Sequence, residues 1–185
     1  MAAGRRREVE REFEGRVRFE RRTYLLMPHE GSRPAYDDYV VSHRVRAAEM
    51  LPELKFAIPK VGAPYPKSSW PAQLVAISTA RDFPDRLPAL EDALFGAMFR
   101  ELRDLADARI LRGCARESGI PESLVDEALA DPLLRKQARR EHLEGEKEGL
   151  QGIPALVLPG LPPITGAVPV DFYRRALNHV LGSAE

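Results

Sequence analysis

Apolar positions along this chain fall into two registers, and the register changes mark the elements. Leu90, Leu94, Met98 and Leu102 recur every four residues, with Phe95 and Phe99 beside them, which predicts a strong amphipathic helix. Residues 3–13 predict a short helix. Pro34 predicts the first turn of another, with Ser32 or Arg33 near its cap and Tyr36, Val40, His43, Ala47 and Met50 along one face. Ser68-Ser69 cap a helix reaching about Ala80. Asp107 caps one closed by Gly119, residues 121–130 form a short one, and Asp131-Pro132 open a charged helix towards Glu148 that Gly149 and Gly152 break.

Period-two and continuously apolar runs are few. Val17 and Phe19 alternate with charged neighbours before the run Tyr24–Met27, which predicts a strand over 16–27 that Pro28 stops. Ala155-Leu-Val-Leu158 predicts a buried strand, Pro159-Gly160 a tight turn, and Ile164-Thr165 a second strand. So short a connection makes that pair antiparallel. A last helix begins with Pro169 in its first turn, shows Phe172, Ala176, Leu177 and Val180 on one face, and ends at Gly182. Residues 52–67 hold four prolines and one glycine, the composition of an extended loop. The order is thus helix, strand, several helices, strand, strand, helix: a helical block inside a small α/β domain.

Composition narrows the function classes. The chain has 185 residues, which suits one domain or one domain carrying a sizeable insertion, and at 44% hydrophobic and 30% charged it has the balance of an ordinary globular protein. Lys+Arg and Asp+Glu both number 28, so no net charge favours nucleic acid or an anionic membrane as partner. Arg5-Arg6-Arg7 is too short for a basic tract and reads as a solvated helix start. No run of about 18 apolar residues is present, which argues against a membrane-spanning helix. The basic start is not followed by an apolar segment, so it does not read as a secretory signal, and the cytoplasm is the expected compartment. Cys114 is the single cysteine. It can form neither an intrachain disulfide nor a cysteine zinc site, and its spacing with Ile110 and Leu111 predicts a small packed helix residue.

Among other candidate groups, His142 and Glu146 share a helix face beside Glu141 and Glu144, but the alternating charges there read as a solvated face rather than a metal site. His43 falls on an apolar stripe and is expected at the core or its rim. His29 follows the first strand, and His179 lies where a helix C-terminus favours a cation. Trp70 opens the long helical block and is expected to pack there. No phosphate-binding glycine loop and no nucleophile elbow is present.

Several stretches carry a resemblance. They are R-V-R-F-E-R-R-T-Y-L-L-M-P (16–28), Y-P-K-S-S-W-P-A (65–72), A-L-F-G-A-M-F-R-E-L-R-D-L (93–105), G-L-Q-G-I-P (149–154) and G-A-V-P-V-D-F-Y-R-R-A-L (166–177). In this order they resemble the DsbA-like thioredoxin-fold family. Within it, they look most like the FrnE-type oxidoreductases and the 2-hydroxychromene-2-carboxylate isomerases. The resemblance implies an α/β thioredoxin-like fold formed by residues 1–34 and 149–185, with an all-helical insertion over 35–148. It implies that Pro154 is a cis-proline, that Gly152 permits the turn before it, and that the backbone of Ile153 faces an extended peptide or a small thiol or disulfide substrate. Glutathione is the one cofactor that the isomerase branch implies; the oxidoreductase reading needs none. A homodimer is compatible with either.

One family feature is not visible. The family's first strand delivers C-x-x-C to a helix N-terminus, where the dipole favours a thiolate. This sequence shows neither that strand nor a C-x-x-C or Ser-x-x-Cys motif, and its first residues resemble the later part of that helix. Three explanations stay open: a reading that starts at an internal methionine, a further segment or second chain filling the gap, or a rearranged sheet without redox activity. A third functional reading is a peptide- or partner-binding module without catalysis.

Overall fold

The computed structural model describes residues 2–25, 33–166 and 168–182. The chain divides into two compact units, Met1–Leu26 with Arg140–Glu185, and Met27–Arg139.

In the first unit the N-terminal helix α1 (Ala2–Glu12) and the C-terminal helix α8 (Val170–Gly182) pack on a two-stranded sheet. Strands β1 (Ala155–Leu156) and β2 (Ile164–Thr165) run antiparallel, Ala155 opposite Thr165 and Leu156 opposite Ile164. Gly160 takes a positive φ of 74° in the turn between them, a conformation that costs glycine nothing. Val9, Phe13, Leu158 and Leu177 are the buried centre, and Val17, Phe19, Leu156, Ile164, Val170, Tyr173 and Val180 pack around it. Burying side chains of this size contributes about 1.5–3 kcal/mol each. Polar contacts tie the two helices at the rim. Arg174 pairs with Glu8 at 3.0 Å, Glu12 at 2.7 Å and Asp171 at 2.6 Å, and these hydrogen bonds hold its proton more firmly than usual. Phe172, expected on the apolar face, is instead largely exposed.

The expected strand over 16–27 is not a ladder strand within its described part, residues 16–25. Its burial still alternates: Val17 and Phe19 are half-buried, Arg18 and Glu20 exposed, Thr23 and Leu25 buried. No strand lies beside it among the described residues, so its backbone finds other partners. The Thr23 N–H donates to Glu141 Oε2 at 2.7 Å, and the Leu25 N–H to His142 Nδ1 at 3.4 Å. Both acceptors come from α7 (Pro132–Lys147), whose second half belongs to this unit. Glu141 and His142 are therefore buried, and the expectation of a solvated face at His142 is corrected. Tyr24 packs edge-on against the His142 ring, and its hydroxyl donates to the Leu150 carbonyl at 3.1 Å.

The second unit is helical. Its elements are α2 (Asp38–Met50), α3 (Trp70–Asp82), α4 (Leu87–Phe95), α5 (Ala108–Glu117), α6 (Ser123–Ala130) and the first half of α7. Leu74, Val75, Leu90, Leu111, Ala115, Leu124, Val125 and Ala128 fill its core. Local chemistry sets several starts. Asp107 Oδ1 accepts the Arg109 N–H at 2.8 Å, Asp131 Oδ1 the Leu133 N–H at 2.7 Å, and Ser68 Oγ the Trp70 N–H at 3.1 Å. Gly119 closes the turn after α5 with a φ of 71°.

Three expectations are revised in this unit. Pro34 does not open α2. Ala35 bridges Pro64, and the Tyr36 N–H donates to the Ala63 carbonyl at 2.8 Å, so this stretch pairs with the proline-rich loop. The helix starts four residues later, with Asp37 Oδ1 accepting the Val40 N–H at 2.8 Å. Ser32 and His29 lie outside the described residues. Second, His43 is exposed, its Nδ1 2.7 Å from the Tyr39 carbonyl, while its neighbour Arg44 is buried. Third, the helix through Leu102 ends early. After α4 a π-helical turn runs over Gly96–Arg100, and Leu102 adopts a φ of 57°.

Candidate functional site

The segment 149–154 connects α7 to β1. Gly149 ends the helix with a φ of 82°, and the Leu150 N–H donates to the Gly145 carbonyl at 3.0 Å. With the Tyr24 hydroxyl on the Leu150 carbonyl, this pins the start of the loop. The far end is pinned by the sheet, where the Pro154 carbonyl accepts the Gly166 N–H at 2.7 Å. Tyr173 steadies that neighbour by donating its hydroxyl to the Gly166 carbonyl at 3.0 Å.

Between the anchors stand the three candidate residues. Gly152 and Pro154 are half-buried and Ile153 is 48% exposed. The Ile153–Pro154 peptide bond is cis. Among the described residues Ile153 forms no backbone hydrogen bond, although the next residue is already tied to the sheet. Its N–H and C=O are therefore available to an added backbone, as at a sheet edge. Val157, two positions into the run, is also exposed. Gly152 has no positive φ, and a Cβ built on it would meet open space, so the left-handed residue of this loop is Gly149 instead.

Cys114 sits elsewhere, in α5 of the helical unit. It is buried, and its carbonyl accepts the Ser118 hydroxyl at 2.8 Å. Burial raises its thiol pKa, with Glu117 and Glu101 adding to the rise and Arg103 opposing it weakly. A thiol so placed is a packing residue and a poor nucleophile. Trp70 is buried where the sequence reading expected it to pack, with Arg135 over its ring at 5.6 Å. His142 Nε2 lies 3.7 Å from Glu146, but Glu141 Oε2 is committed to Thr23. Among the described residues no three His, Cys, Asp or Glu side chains gather as a metal site. No described helix is long and apolar enough to cross a membrane.

Two arrangements escaped the sequence reading. One is the use of Glu141 and His142 as acceptors for an extended backbone. The other is the buried pair Tyr36 and Arg44. A charged residue in the middle of a helix carries no local sign that it faces inward, and only the tertiary neighbours reveal it.

A helix–sheet unit whose β1 follows an exposed residue with unpaired backbone, combined with a helical unit inserted in the chain, defines a thioredoxin-like protein with a helical insertion. The sequence model of the DSBA-like thioredoxin domain matches residues 4–178, and the chain belongs to that family, a family of thiol–disulfide oxidoreductases. Solved structures share the fold at low identity. A probable DsbA oxidoreductase from Streptomyces coelicolor superposes with a TM-score of 0.77 at 19% identity, over 98% of this chain and 83% of that one. A Nitrosomonas europaea protein assigned as a protein disulfide isomerase gives 0.77 at 19%, over 99% and 91%. The cytosolic disulfide reductase DsbM from Pseudomonas aeruginosa gives 0.65 at 16%, over 99% and 89%. No curated protein sequence matches the chain.

Proposed function

We propose that Gly152, Ile153 and Pro154 hold an extended peptide or a small thiol or disulfide substrate, and that this 185-residue chain alone does not turn such a substrate over. The observation that carries the reading is Ile153: half exposed, anchored on both sides, and without a backbone partner among the described residues. Main-chain pairing along such an edge binds peptides with little dependence on their side chains. Membership of a thiol–disulfide oxidoreductase family supports the substrate class. The second half of the proposal rests on Cys114, the single cysteine, whose burial and raised pKa suit packing rather than exchange chemistry. The reading treats residues 35–148 as an insertion in a thioredoxin-like domain made of 1–34 and 149–185. It places the protein in the cytoplasm, as the cytosolic reductase of the same fold suggests.

An amide NMR titration with a disulfide-containing peptide tests the binding half. The Ile153 amide should shift and become protected from exchange, and Ile153→Pro, which removes that N–H, should abolish the effect. Unperturbed amides at Gly152 and Ile153 at millimolar peptide would overturn it. Oxidised and reduced glutathione form separate arms, and tight glutathione binding without peptide binding would favour an isomerase-type site. Catalytic insulin reduction by the purified chain would overturn the second half.

A further inference from the structure

Strand β1 is paired along one edge only. Ala155 stands opposite Thr165 and Leu156 opposite Ile164, which puts Pro154 opposite Gly166. The Gly166 N–H donates to the Pro154 carbonyl at 2.7 Å. Opposite residues of an antiparallel pair alternate between those joined by hydrogen bonds and those that are not. Pro154 and Gly166 are of the joined kind, so Leu156 and Ile164 are too, and Ala155 and Thr165 are not. The Ala155 N–H and C=O therefore point away from β2, and Val157 continues that edge one residue pair further on. Among the described residues Val157 forms no backbone hydrogen bond, and neither does Ile153 before the proline. From Ile153 to Val157 the backbone thus offers a row of unpaired donors and acceptors about 13 Å long, at the strand rise of about 3.3 Å per residue.

Side chains along this row show what would lie beside it. Leu156 and Leu158 pack into the core around Phe13 and Leu177. Val157 between them is 44% exposed, and Ile153 is 48% exposed. Ala155 is half-buried. The run Ala155–Leu158 carries no charged residue. Free sheet edges are ordinarily blunted by lysine or another charge, because an apolar, unpaired edge is a template for a further strand. Here nothing of that kind stands between Pro154 and Pro159, and the two prolines bound the stretch that can pair. A thiol of dipeptide or tripeptide size would cover only part of the row. A longer extended backbone can satisfy all of it, and its side chains beside Ile153 and Val157 meet apolar surface.

We infer that the ligand of this site is an extended polypeptide segment of five residues or more that adds a third strand to β1, pairing with Ile153, Ala155 and Val157 and apolar where it lies beside Ile153 and Val157. The inference rests on the reading proposed for Ile153 and chooses within it: an unfolded or loosely structured protein chain is the ligand, and a small thiol is not.

Amide hydrogen exchange of the full chain, read by NMR, tests this. The probe is a blocked seven-residue peptide of alternating valine and threonine with a lysine at each end. Exchange should slow at Ile153, Ala155 and Val157 together, while Leu156, already bonded to β2, serves as the internal reference. Replacing the valines of the probe by serine should weaken binding about tenfold by loss of the apolar cross-strand pairs. Val157→Pro removes one edge N–H and leaves the bonds to β2, and should weaken the valine probe about fivefold. Val157→Thr keeps the β-branched shape and should weaken it about threefold through the lost methyl group, which carries the test if the proline variant does not fold. Slowing at Ile153 alone would overturn the inference and leave the Ile153 reading standing, whereas no slowing at any of the three would remove both. Equal slowing at all three by oxidised glutathione would overturn the choice of a long segment. Slow exchange at Ala155 and Val157 in the free chain, growing with protein concentration, would give the edge to a second copy and overturn the inference as well.

Discussion

The two units satisfy their backbones in opposite ways. The helices of the helical unit close their backbone hydrogen bonds within themselves, and several of their starts are finished by residues two or three positions away, such as Asp37, Asp107 and Asp131. The helix–sheet unit has a short ladder of two strands, and its segment 16–25 has none. There, distant side chains complete the backbone: Glu141 reaches Thr23 across 118 positions of sequence, and His142 reaches Leu25 across 117. A helix is self-sufficient in hydrogen bonds, whereas an extended segment must take its partners from elsewhere. The unit richer in extended chain therefore depends more on single long-range side chains, and Ile153 shows what is left where no such partner arrives.

Core deletions should give the largest effects and test whether both units rest on packing to the same degree. Phe13→Ala in the first unit should cost about 3–5 kcal/mol, and Leu111→Ala in the second about 2–5 kcal/mol. Denaturant unfolding measures both. Hydrogen exchange in α8 reports the first, and fluorescence of Trp70, the single tryptophan, the second. A much smaller loss at Phe13 would mean that the helix–sheet core contributes less than its burial indicates.

The next effect separates the two modes of backbone satisfaction. Glu141→Ala leaves the buried Thr23 N–H without an acceptor and should cost about 1.5–3 kcal/mol. Exchange at the Thr23 amide should accelerate, while the amides of α5 stay protected. Glu141→Gln retains an acceptor oxygen and should recover most of the loss. Equal stabilities of the two variants would show that the acceptor is dispensable.

A smaller effect is expected at a local cap. Hydrogen bonds from the Arg109 side chain and backbone N–H lower the Asp107 pKa below its ordinary value. A carboxylate whose folded pKa is depressed contributes stability that is present above its unfolded value. That contribution is lost as the pH falls through the folded pKa, so it should fade below about pH 4. Unfolding midpoints measured between pH 3 and 6 should show a loss in the native chain that is absent in Asp107→Asn. Parallel curves would remove the cap from the account. Smallest in stability, but sharp as a readout, is Cys114. Its buried thiol should react with a thiol reagent at pH 7 only as the helical unit opens, with the rate following denaturant rather than reagent access.

What the amino-acid order determined alone was local. The caps at Asp107 and Asp131, the glycine at position 119, the turn at Pro159-Gly160 and the antiparallel pair after Pro154 rest on chemistry within a few residues. The motif series from residue 149 onward likewise carried the family. Tertiary structure alone decided what faced inward and what the extended segments paired with. By periodicity His43 belonged on the buried stripe of α2 and His142 on a solvated face, and both were reversed. Periodicity names a stripe only to within a residue on either side, and the packed neighbours choose within it. Tyr36 and Phe99 selected Arg44, and the unpaired backbone at Thr23 and Leu25 drew Glu141 and His142 inside. The residues at 16–25 have the alternation of a strand, but a ladder is a property of two segments, and one sequence pattern cannot supply the second.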